Sequence, residues 1–270
     1  MGTLDRIRGM RHRLRLLLVA GSVIAIALVP RSLQAQRGFA GGPPSPRAGA
    51  PIDLTGYWVS LVTEDWRFRV ATPAKGDYTS VPLNPAGRKV ADAWDPVKDE
   101  AAGEACRGYG VGGVMRLPGR LRIGWQDDRT IKIETDAGTQ TRLLAFGQSG
   151  SNASDWQGAS IASWDRSDSV MGAGGPLAFF GPAAARGGSL KVVTTKMKAG
   201  YLRKNGVPYS GDAVITEYFD RFDIGNGDAL LVVATEVVDP TYLAQPFWTS
   251  SHFKKQNDAA GWKPTTCSAR

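Results

Sequence analysis

From Arg120 to Phe253 the chain returns again and again to short runs in which apolar and polar side chains alternate, with turn residues between them. A period of two sends successive side chains to opposite faces, so each run reads as an extended strand with one face for a core. Leu121, Ile123 and Trp125 alternate with Arg120 and Arg122, and Ile131 and Ile133 with Lys132 and Glu134. The turn Asp127-Asp128-Arg129 sets Trp125 against Ile131 and leaves Arg122, Lys132 and Glu134 on the wet face. Asp136-Ala137-Gly138 is a second hairpin turn, with Gly where positive φ is needed. Residues 140–146, 159–164, 190–197, 213–222, 230–238 and 247–253 continue the series, and Gly225-Asn226-Gly227 makes one of the connections. With residues 56–63 in front there are nine candidate strands, no strand–helix–strand pattern and no internal repeat. The expected fold is all-β, an antiparallel up-and-down barrel of eight or nine strands, because closure removes the open edges of a sheet. A two-sheet sandwich is the alternative.

Residues 64–113 interrupt the pattern. Asn84-Pro85 and Asp95-Pro96 each pair a capping side chain with a proline at the first helical position, which predicts two short helices over about residues 83–106. The barrel domain is expected over 52–270, behind a Gly/Pro-rich linker at 36–51 without periodicity.

Residues 1–35 have the form of a secretory signal peptide. A basic start precedes an apolar run of about 14 residues, Leu16 to Val29, short for a membrane span, and Ser32-Leu33-Gln34-Ala35 offers a cleavage site. An uncleaved N-terminal anchor is the alternative. The formal charge of +8 belongs mostly to this segment, which holds Arg6, Arg8, Arg11, Arg13, Arg15 and Arg31 against Asp5. Without those seven the counts fall from 33 basic and 25 acidic to 27 and 24, a balance of about +3. The pI near 9.6 is therefore no argument for nucleic-acid binding. A periplasmic or secreted location is expected, with no stable membrane span after cleavage. Two cysteines in an exported chain, Cys106 and Cys267, are expected to form a disulfide.

Two resemblances carry further expectations. Gly56-x-Trp58 at the start of the first strand, followed by a long excursion, resembles the lipocalin or calycin plan, in which the Trp packs at the barrel base and the first connection lids the open end. The mature chain also resembles a large uncharacterised family of exported bacterial proteins. The pieces that carry this are Trp156-Gln157-Gly158-Ala159-Ser160, residues 190–195 and 205–210, Thr216-Glu217-Tyr218-Phe219, and Asp239-Pro240-Thr241-Tyr242 before Pro246-Phe247. That resemblance implies a lipocalin-like barrel and export, and no activity.

Chemistry is sparsely signalled. His252 is the one histidine outside the leader, which argues against a His-rich metal site and leaves any Ser-His-acid arrangement dependent on it. The glycine clusters 108–113 and 147–150 lack the Lys and the strand–helix context of a phosphate cradle. Asn152-Ala153-Ser154 matches a glycosylation sequon. No metal or cofactor is expected.

The carboxylates offer more. If Trp58 faces the lumen, Ser60, Val62 and Glu64 follow, with Glu64 at the rim beside Trp66 and an arginine such as Arg69 or Arg142. Glu217, mid-strand between Ile215 and Phe219, needs a partner if it faces inward. Each is an acid/base candidate or half of a structural Glu–Arg pair. Tyr201 to Tyr209, with Arg203 and Lys204 as its charges and Asn205-Gly206 as turn chemistry, reads as a structural loop rather than an anion or nucleic-acid patch. Strict alternation of strand direction would place residues 64–113 and 165–188 at one end of the barrel and 198–212 at the other.

The function expected on these grounds is an exported lipocalin-like barrel binding a small, largely apolar ligand in its lumen. Trp66, Arg69, Arg142, Tyr218, Phe179 and Phe180 are its candidate contacts, Gly56 and Trp58 its floor, and the 64–113 helices and the Phe179-Phe180 loop its lid. The alternatives are a calycin-type isomerase, cyclase or hydratase using Glu64 or Glu217, and a structural envelope protein with a filled barrel. The oligomeric state is left open.

Overall fold

The computed structural model describes residues 44–148, 155–166 and 188–270. The eleven strands are β1 (Gly56–Leu61), β2 (Arg120–Asp127), β3 (Thr130–Thr135), β4 (Thr141–Phe146), β5 (Ala159–Arg166), β6 (Gly188–Thr195), β7 (Gly200–Arg203), β8 (Val207–Tyr209), β9 (Val214–Gly225), β10 (Asp228–Val238) and β11 (Phe247–Gln256). Nine of them close a barrel in the order β1-β11-β10-β9-β6-β5-β4-β3-β2, and β7 and β8 form a separate two-stranded ribbon. The expected all-β barrel is what the chain forms.

One part of the expected topology is wrong. A ring of nine strands cannot alternate direction all the way round, so at least one neighbouring pair must be parallel. An uninterrupted meander would put that pair where the first and last strands meet, yet β1 and β11 are antiparallel, with Tyr57 opposite Gln256 and Leu61 opposite His252. The parallel pair is β4–β5, where Leu144 lies opposite Ser160 and Phe146 opposite Ala162. β4 and β5 therefore begin at the same rim. Every later strand is therefore reversed relative to the alternating scheme. Residues 196–213 join the 62–119 excursion at one rim, here the upper rim. The end of β5 and the start of β6 lie at the other rim, where Trp164 Nε1 donates to Pro46 O at 2.8 Å. Phe179 and Phe180, expected on the lid between these two strands, lie outside the described residues.

Inside, Trp58, Leu121, Ile133, Leu144, Leu190, Val192, Phe219, Leu231, Val233 and Phe253 pack into one cluster, each at most 3% exposed. Full burial of a large apolar side chain contributes roughly 1.5–3 kcal/mol, so this cluster is the main source of stability. Trp58 is fully buried and anchored by its Nε1, which donates to Leu54 O at 2.9 Å. Gly56, two residues earlier, has φ +114, and the Lys255 chain passes where a Cβ would stand.

Above the cluster a polar layer crosses the interior. Arg142 of β4 and Glu217 of β9 form a fully buried ion pair, and Ser160 and Thr194 share a hydrogen bond of 2.8 Å. A second core lies over this layer, built from Val111, Leu202, Val207, Tyr209, Ile215, Val237, Leu243 and Phe247. It joins the excursion and the ribbon to the tops of β9, β10 and β11.

The excursion contains three short helices, α1 (Trp66–Arg69), α2 (Pro85–Asp92) and α3 (Pro96–Ala101). Asn84 Oδ1 caps α2 by accepting from Gly87 N at 2.9 Å, and Asp95 Oδ1 caps α3 by accepting from Val97 N at 3.1 Å. Cys106 and Cys267 are disulfide-bonded, with Cα atoms 5.0 Å apart. Among the described residues no helix is long and apolar enough to cross a membrane.

Candidate functional site

At the top of β1 the chain turns into α1 through two consecutive acids. Asp65 adopts a left-handed backbone (φ 49), which sends the two carboxylates to different partners. Glu64 Oε1 accepts from Arg69 Nη1, while Glu64 Oε2 accepts from Thr63 Oγ1 at 2.6 Å and lies 3.2 Å from His252 Nδ1. Asp65 Oδ2 accepts from Arg116 Nη2 at 2.7 Å. The two arginines are tied together, because Arg69 Nε donates to the Arg116 carbonyl at 2.7 Å. Arg69 also reaches Ser60 Oγ at 3.3 Å, which uses its third nitrogen. Burial draws the Arg69 pKa below the ordinary guanidinium value, and nearby Arg116 pushes it the same way.

A third arginine arrives from the ribbon. Arg203 stacks on the Phe68 ring, 4.1 Å from its centroid, and donates from Nη1 to Thr79 O at 2.7 Å and from Nη2 to Ser80 Oγ at 3.0 Å. Both acceptors are neutral. Burial, then the proximity of Arg116, lowers the Arg203 pKa to about 10. Lys204 beside it lies over the Tyr109 ring at 5.2 Å, with Nζ 3.3 Å from Tyr109 Oη, and also donates to the main-chain oxygen of Arg270, the last residue.

The last residues complete the enclosure. Thr265 N donates to Asp136 O at 2.8 Å and Thr139 Oγ1 to Thr265 O at 2.8 Å. Two residues on, the disulfide pins the tail to the 3-10 turn at Ala105–Tyr109. Together these segments surround a cleft of about 330 Å³. Arg69, Arg116, Arg203, Lys204 and Arg270 line it, and no Asp or Glu does. Phe68, Leu117, Pro118, Ala137 and Leu202 supply an apolar wall. Three of the arginines are nearly sequestered, with Arg69 and Arg116 6% exposed and Arg203 4%.

The expected site residues fall in several places. Glu64 and Arg69 are brought together at the rim as expected from their spacing, and Arg69 lines the cleft. Arg142 is not with them; it is sealed inside the barrel with Glu217. Trp66 is 67% exposed and does not line the cleft. Tyr218 alternates with the inward Glu217 and Phe219 and lies on the outer face, with Lys191 Nζ 5.7 Å from its ring centroid. Arg116 escaped the sequence reading altogether. It is a lone cation in the apolar run Val114-Met115-Arg116-Leu117-Pro118, and that isolation was the available signal. Among the described residues no group of three or more His, Cys, Asp or Glu side chains is placed to hold a metal ion.

The fold and cleft define a closed nine-strand β-barrel with a capped rim. No protein-family model, no curated protein and no solved structure matches the chain.

Proposed function

We propose that this is an exported, lipocalin-like binding protein that takes a small ligand at the rim cleft rather than in the barrel lumen. The observation that carries the reading is the distribution of space. The interior is occupied by packed side chains from Trp58 to Val233, whereas about 330 Å³ stays open between the excursion, the ribbon and the tail. That volume falls at the small end of the range of roughly 300–1,000 Å³ in which small-molecule sites occur. Leu117, Pro118 and Leu202 suit an apolar ligand body. Export is supported by the signal-like leader and by the disulfide, a bond that persists in oxidising compartments. Binding is favoured over catalysis because Glu217 is sealed against Arg142 and no Asp or Glu side chain lines the cleft to act as acid or base.

Native mass spectrometry of the purified mature protein tests the proposal. The wild type is expected to carry a small-molecule mass or to take one up from a mixture of small amphiphiles. Ala71→Trp, which fills the cleft from its exposed edge, is expected to lose it. Retention of the bound mass by the Trp variant would place the ligand elsewhere. A wild type that binds nothing would favour the second reading, a structural envelope protein, to which the filled interior also lends support.

A further inference from the structure

We propose that the cleft is an oxyanion site. Resting on the reading of the cleft as a ligand seat, the inference is that the ligand's charged end is a carboxylate or phosphate ester held by Arg116, Arg203 and Lys204. Its apolar body lies against Leu117, Pro118 and Leu202.

The charge balance of the walls comes first. Five cationic side chains and no Asp or Glu side chain line one small volume, and the anionic group nearest to hand is the main-chain oxygen of Arg270, the last residue, held by Lys204. The only acids paired with them, Glu64 and Asp65, are spent on Arg69 and Arg116 from outside the cleft. Among the described residues no carboxylate hydrogen-bonds Arg203, only a backbone carbonyl and a hydroxyl do, and Asp65 and Asp77 act on it from a distance. A buried cation without a counter-charge is costly, and a second cation nearby adds to that cost. An anion in the cleft removes both penalties at once.

Unspent hydrogen-bonding capacity points the same way. Arg69 uses all three nitrogens, so it acts as a brace. Arg116 Nη1 and Arg203 Nε are buried and donate to nothing. Buried donors are almost always paired in folded proteins, and an orphaned donor calls for a missing acceptor. Two such donors, on two arginines close enough to depress the pKa of one, describe a place prepared for an acceptor. The planar guanidinium fork matches the two oxygens of a carboxylate or the edge of a phosphate. Both orphaned atoms are closed to solvent as they stand. The adjustable donor is Lys204, the least buried of the three, which exchanges its contact with the main-chain oxygen of Arg270, the last residue, for the anion.

Calorimetric titration with isosteric probes tests this. Octanoate and octyl phosphate are expected to bind the mature protein at least about tenfold more tightly than octanol, the scale of one added charge-assisted hydrogen-bond pair. Their affinity should fall as salt rises. Inorganic phosphate alone should bind more weakly than octyl phosphate. In Arg203→Gln the advantage of octanoate over octanol should collapse, with octanol unchanged. Lys204→Gln, at a more exposed position, provides the same test if the Arg203 variant does not fold. Equal binding of octanol and octanoate by the wild type would overturn the oxyanion inference while leaving the cleft as a ligand seat. Binding of none of the probes would overturn the seat as well. Equal binding of inorganic and octyl phosphate would keep the anion and contradict the apolar body.

Discussion

Arg142 and Glu217 show how strongly one residue depends on another inside this barrel. Both side chains are fully buried, and two bonds join them, one of 3.0 Å from Arg142 Nη1 to Glu217 Oε1. Breaking such a pair leaves a lone buried charge, so Glu217→Gln or Arg142→Met is expected to cost about 3–5 kcal/mol in urea unfolding. The double variant Arg142→Met, Glu217→Leu should recover most of that loss, since apolar replacement of a buried pair is often neutral. Glu134 behaves differently because it is near the surface. Its hydrogen bonds from Arg122 hold its carboxyl below the usual range. A depressed folded-state pKa stabilises the protein above the ordinary carboxyl value of about 4.3, and that contribution is lost as pH falls through the folded value. The stability difference between wild type and Glu134→Gln should therefore be about 0.2–1 kcal/mol at pH 7 and shrink as pH falls below the ordinary carboxyl range. At this scale the sequence was informative about need but not about partner. A mid-strand glutamate requires a cation, but only the folded register shows that Arg142, rather than a rim arginine, supplies it. The isolation of Arg116 in an apolar run is legible in the sequence, but its role is not, because that depends on Asp65 and Arg203, both distant in the chain.

Turns and caps are the elements the sequence specified best, because their causes are local. The Asn84-Pro85 and Asp95-Pro96 starts form helices with the expected caps. Gly138 sits at φ +71 in the turn between β3 and β4, and an added Cβ would stand 2.1 Å from Tyr109 Cδ1. Gly138→Ala should thus combine backbone strain with a clash and cost on the order of 2 kcal/mol or more, read as a fall in the urea midpoint. The tail is held by a longer-range device. Cys106 and Cys267 are 161 residues apart in sequence, and the chain-entropy model gives a bridge over a loop of that length on the order of 5 kcal/mol at most. Cys106→Ser with Cys267→Ser should lower stability by up to that amount. Hydrogen exchange in residues 257–270 should quicken more than in β9 or β10, because the released tail also lines the cleft.

For the whole molecule the decisive feature is the parallel contact between β4 and β5. The alternating patterns reveal how many strands there are and which faces they bury, but direction is set by how a connection crosses the barrel. No residue in 147–158 announces that path. Its consequence is the candidate site itself, because only the reversed order brings Arg203 and Lys204 to the rim that holds Arg69 and Arg116. A short lysine cross-linker should accordingly join Lys204 to Lys75, since the neighbouring Asn205 Nδ2 donates to Ala74 O at 3.1 Å. Strict alternation would leave those two lysines at opposite ends and unjoined. The central claim is that this rim, and not the filled lumen, receives the ligand. Amide chemical-shift mapping during an octanoate titration tests it most directly. The predicted shifts cluster at residues 68–72, 108–118, 202–204 and 265–270, with Phe219, Leu231 and Phe253 unmoved; shifts centred on those interior residues would contradict it.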